Sequence, residues 1–174
     1  ERIKIIASAN NLQNSYDVSG SEGSSLLKKL NNQLTLTKRS LDPLIDELIE
    51  LEDSPESADR EGALFKEIDS IVNEQRKFSI GFIVDNIESM AAITALYQKL
   101  DDETYVLNQT RDIQYLKITA EALMKKYPES PHVISLQNDA NANLNQYELQ
   151  RLARLAGNSD VVNYPDIAMP GIDG

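Results

Sequence analysis

Three groups of side chains in this sequence carry chemistry by type. His132 is the single imidazole, and an imidazole near neutral pH serves as a general base or a metal ligand. Acidic residues cluster at Glu47, Glu50, Glu52 and Asp53, and again at Asp101, Asp102 and Glu103. Such clusters can bind calcium or act as paired carboxylates. Serines flank a glycine at Ser19-Gly20-Ser21, where a nucleophile could sit. None of the three completes a constellation. His132 follows Pro131 in the first turn of an expected helix, with no cysteine and no second histidine to share a metal. The acidic clusters lack the alternating oxygen positions and glycine turn of a calcium loop. No Gly-x-Ser-x-Gly elbow and no phosphate loop surrounds Ser21. The simpler reading makes Ser21 or Ser24 a helix cap, Asp101 to Glu103 a capping loop and His132 a solvated residue. No catalytic, cofactor-binding or metal-binding residue is therefore assigned, no cofactor is expected, and the 174 residues are not expected to form an enzyme.

The elements around these residues are helical. Leu27, Leu30, Leu34, Thr37, Leu41, Leu44, Leu48 and Leu51 recur at alternating spacings of 3 and 4. This is a heptad seam, broken in character only at Thr37. Pro43 lies inside it, so a kink is expected, or a fresh start with Asp42 as N-cap. A second helix is expected over residues 57–86, with Leu64, Ile68, Ile71, Gln75, Phe78 and Phe82 as its seam and Ile83 and Val84 widening the apolar face. A third starts at Asn86 to Ser89 and runs through Met90, Ile93, Leu96, Tyr97 and Leu100. A fourth covers about 110–126. The fifth is capped by Ser130, has Pro131 at its first position and stops at Gly157. Residues 3–18 alternate as strands, read as the last strands of a sheet in preference to a lone hairpin, with Asn10-Asn11 as a turn. The expected fold is thus mainly α: about five helices in antiparallel hairpin or bundle packing, a short N-terminal β segment and an extended C-terminal tail. The expected boundaries are 1–20 for the β segment, 21–157 for the helical domain and 158–174 for a linker.

A leucine seam can build a homodimer, receive a partner or form half of an intramolecular hairpin. Chain neighbours compete at high effective concentration, which favours the last, with homodimerisation as the alternative. Phe78, Phe82 and Tyr97 are read as core. The formal net charge of -11 argues against nucleic acid as a partner. No apolar run is long enough for a transmembrane segment. With no cysteine there is no disulfide or thiolate site in these residues.

Three short phrases resemble a known family. Tyr16-Asp17-Val18-Ser19-Gly20-Ser21 is similar to a strand phrase that leads into long helices. Tyr127-Pro128-Glu129-Ser130 is similar to a turn between connector helices. Tyr164-Pro165-Asp166-Ile167 to Asp173-Gly174 resembles the opening of a thioredoxin-like domain. In order, they resemble envelope thiol-disulfide oxidoreductases of the thioredoxin-like AhpC/TSA superfamily, in members with an N-terminal β-domain and a helical connector. The resemblance implies that this chain is the connector, with the end of the β-domain, and that a catalytic CxxC lies in a following domain. It also implies a periplasmic or cell-envelope location, lipid-anchored or free, and an envelope protein as substrate. No active-site residue of that family maps onto this sequence; Pro165, Asp166 and Asp173 match a structural phrase only. The alternative is a stand-alone helical protein-protein interaction module of the cell envelope.

Overall fold

The computed structural model describes residues 3–7, 16–51 and 57–155, and these are mainly helical. The expected tail at 158–174, the Gly157 stop, the Asn10-Asn11 turn, and Glu52 and Asp53 lie outside the described residues. Strands β1 (Lys4–Ala7) and β2 (Tyr16–Ser19) pair antiparallel, with Lys4 opposite Ser19 and Ala7 opposite Tyr16. Among the described residues they form a two-stranded sheet, an arrangement common to both readings of the N-terminal strands. Ile3 and Ile5 are exposed, and β2 is held by its contact with the first helix. Gly20 follows with φ 86°, a left-handed conformation that a Cβ would strain, so the chain can turn sharply into that helix.

Helix α1 (Glu22–Glu50) begins at Ser21, whose hydroxyl accepts from the Ser24 amide. It runs through Pro43 without a break, so the fresh start at Asp42 is not found. Proline removes one helical hydrogen bond, at a cost of about 3 kcal/mol. Packing on both sides of it offsets this: Leu41 is buried before it, and Leu44 and Leu48 after it are half-buried on the seam. Helix α2 (Ala58–Asp85) returns antiparallel, and the two seams meet within the chain. Every seam residue of α1 is buried or half-buried. The two polar interruptions meet each other, with the Thr37 hydroxyl donating to Gln75 Oε1 at 2.7 Å. That pair fixes the register. Val84, expected on the apolar face, is instead 51% exposed, while Ile83 is fully buried.

Helix α3 (Ala91–Leu96) is shorter than expected. Asn86 ends α2 by donating its side-chain amide to the Phe82 carbonyl, and the next residues are turns. After Leu96 the chain leaves the helix because Tyr97 and Gln98 find partners on other elements. A 3-10 turn at Thr110–Asp112 then leads into α4 (Ile113–Lys126), and α5 (Pro131–Leu155) packs back along α4. The Ser130 carbonyl accepts from the amides of Val133 and Ile134 in the first turn of α5.

The main core joins Leu30 of α1, Phe82 and Ile83 of α2, Ala91, Ala95 and Leu96 of α3, Ala120 and Leu123 of α4, and Val133, Leu136 and Ala140 of α5. Phe78 and Tyr97 pack against it, as the sequence pattern predicts. The core takes up the start of α1 and the end of α2. The remaining halves of α1 and α2 form a two-helix arm. Among the described residues, no helix is long and apolar enough to cross a membrane.

Candidate functional site

The chemistry-bearing residues read from the sequence are dispersed, and three of them, Glu47, Asp101 and Ser21, carry structural bonds. His132 is exposed in the first turn of α5. Glu47 receives a two-pronged bond from Arg60, Nε to Oε1 at 2.5 Å and Nη2 to Oε2 at 2.6 Å. That hydrogen bond holds the Glu47 carboxyl below its ordinary range. Glu50, Asp102 and Glu103 are exposed. Asp101 accepts from the amides of Glu103 and Thr104 at 2.8 and 2.6 Å, which closes the loop and lowers its pKa. Ser21 is the cap of α1. Among the described residues, no group of three or more His, Cys, Asp or Glu could hold a metal ion.

The structure gathers other polar residues that sequence reasoning did not connect. Gln75 Nε2 donates to Ser79 Oγ at 3.3 Å, and Gln98 Nε2 donates to the Leu30 carbonyl at 3.4 Å. Ser79 donates to Gln98 Oε1 at 3.4 Å. With Thr37 these residues make one buried polar layer linking α1, α2 and the segment after α3. Its signal was available: Thr37 and Gln75 are the two positions that interrupt their seams. Next to it, Arg76 donates to both carboxylate oxygens of Asp112 through Nε and Nη2, and Asp112 also accepts from the Gln109 amide at 3.0 Å. Both side chains are almost fully buried. Asp112 raises the Arg76 pKa by hydrogen bonding, so the guanidinium stays charged throughout the working range.

Tyr97 donates to Asp139 Oδ2 at 2.9 Å. Burial first, and then Asp139, push its phenol well above the ordinary tyrosine value. The folded state therefore holds the phenol proton more tightly than the unfolded chain. The resulting stabilisation is complete below the unfolded value of about 10 and is lost as pH rises towards the folded value. The midpoint of urea unfolding should fall above about pH 10, and it should fall less steeply in Tyr97→Phe.

The arrangement suits the joining of elements and the presentation of a surface. On α5 the stripe that packs on α4 carries Val133, Leu136 and Ala140, then continues as Tyr147, Arg151 and Arg154. The last three, with Thr110 and Gln150, line a recess of about 40 Å³, a niche on the scale of a water molecule. Comparison with protein-family models, curated proteins and solved structures found no match to this chain.

Proposed function

We propose that this chain is a non-catalytic architectural and interaction region of an envelope thiol-disulfide oxidoreductase, spacing a β-domain from a thioredoxin-like redox domain. The observation that supports this most is the order of its parts. A strand hairpin is held against the start of a helical body, and that body precedes the Tyr164 to Gly174 phrase resembling a thioredoxin-like opening. The buried polar layer and the Arg76–Asp112 pair suit a spacer, because directional bonds favour one arrangement of the helices. The same reading carries a periplasmic or cell-envelope location and a CxxC outside these residues. That CxxC would supply the low-pKa thiolate for disulfide exchange.

The test is the intact mass of the protein purified from its native host, with and without alkylation. The expected result is a mass well above 19.4 kDa and two alkylatable thiols. A mass equal to these residues would remove the redox reading. It would favour a stand-alone interaction module, for which the exposed apolar side of the arm is the supporting observation.

A further inference from the structure

The arm has two unlike flanks. Glu47 and Arg60 pair on one, beside Glu67. With the register fixed by Thr37 and Gln75, heptad geometry puts Ile45, Val72 and Phe65 on the other, with Ile49 one turn beyond Ile45. Ile45, Ile49 and Phe65 are 41%, 75% and 53% exposed. This second flank is the one the rest of the fold uses. Ser79 on it is fully buried beside Gln98, and Arg76 next to it binds Asp112 at the start of α4. Helix α4 runs alongside α2 in the same direction, from Asp112 near Arg76 to Lys126 near Glu88. Helix α5 then runs back the other way and passes Thr110. Its 25 residues outreach the 14 of α4. At a rise of about 1.5 Å per residue, roughly two turns of α5 overhang the beginning of α4. Arm and overhang therefore both extend past the beginning of α4, and this geometry puts Ile45, Ile49 and Phe65 of the arm, with Asp42 and Asp69 at the neighbouring heptad positions, on the same side as Arg151 and Arg154 of α5.

We propose that this side receives an acidic amphipathic helix of a partner protein, seated end to end with α4, its apolar side on Ile45, Ile49 and Phe65 and its carboxylates on Arg151 and Arg154. The site continues an interface already formed by α4, so a helix of similar packing is the shape that fits. Charge selects the sign. The last turn of a helix favours cations by itself. That preference does not require both arginines on the stripe that packs on α4 higher up. Among the described residues Arg151 forms an ion pair with Glu148 of its own helix at 3.5 Å, an exposed pair that exchanges at little cost. Arg154 has no ion pair among the described residues. The proposal rests on the interaction role given above and names its surface.

The experiment uses a fluorescein-labelled, hydrocarbon-stapled 14-residue peptide. It repeats the apolar spacing of Ile113, Leu116, Ala120 and Leu123 and carries glutamate where α4 has lysine. Saturable anisotropy at low salt is expected, weakened at least tenfold by Phe65→Glu and by the double variant Arg151→Glu/Arg154→Glu. A lysine version of the peptide should bind the double variant and not the parent. All three positions are exposed, so circular dichroism melts should match the parent and separate lost docking from lost folding. Absent binding, or equal binding to all variants, overturns the proposal. So does concentration-dependent self-association in sedimentation that Phe65→Glu abolishes, since the occupant is then a second copy. Failure here with a large native mass leaves the connector role standing. Variant-sensitive binding with a native mass of these residues alone keeps the surface and removes the redox parent.

Discussion

Asp112→Ala should destabilise the fold by about 3–5 kcal/mol, the range for removing one member of a buried ion pair. The side chains of Arg76 and Asp112 are 8% and 3% exposed, so water cannot replace the lost carboxylate at the guanidinium. The substitution also strips the Gln109 amide of its acceptor and opens the capping arrangement at the 3-10 turn before α4. Domains of this kind have only about 5–15 kcal/mol in total, so much of the stability is at stake. The measurement is urea unfolding, with a lowered midpoint at unchanged slope. The double variant Arg76→Met/Asp112→Leu should recover most of the loss, because replacing both charges removes the desolvation penalty along with the attraction. If Asp112→Ala costs under about 1 kcal/mol, the pair is solvated and does not fix α4 on α2.

The helices were legible because periodicity and caps are local. The seams of α1 and α2, the Ser21 cap and the Pro131 start all follow from residues within one or two turns. The errors fall where tertiary partners decide. Pro43 reads as a kink or a fresh start at Asp42, yet the seam packing of Leu41 before it and Leu44 and Leu48 after it carries the helix through without a new start. Leu100 reads as part of α3, but Tyr97 and Gln98 are drawn to Asp139 and the Gln75 layer. The pairing of Arg76 with Asp112 spans 36 positions and has no local signature. The apolar flank was half legible, because Ile45 and Phe65 fall on one side only once the register of two seams is known.

Leu30→Ala tests whether arm and core are one cooperative body. Leu30 is fully exposed to its neighbours and not at all to solvent, at 0% accessible, where α1 meets α2 and α3. Its carbonyl also accepts from Gln98, so the residue ties the core to the polar layer at the root of the arm. Truncation removes three carbons and leaves a cavity that close packing fills only in part. The expected loss is about 2–5 kcal/mol, or roughly 5–20 °C in melting temperature for a chain of this size. Leu36→Ala on the same helix is the control. Leu36 is 56% exposed, and its replacement should stay within about 0.5 kcal/mol. A single unfolding transition that moves as a whole in Leu30→Ala means the arm is anchored through this contact. A split transition, with the core melting early and a residual helical signal persisting, would mean that the α1–α2 pair holds together through its own seam. In that case the two projecting helices, and the apolar flank they carry, would be a separable unit and not an extension of the core.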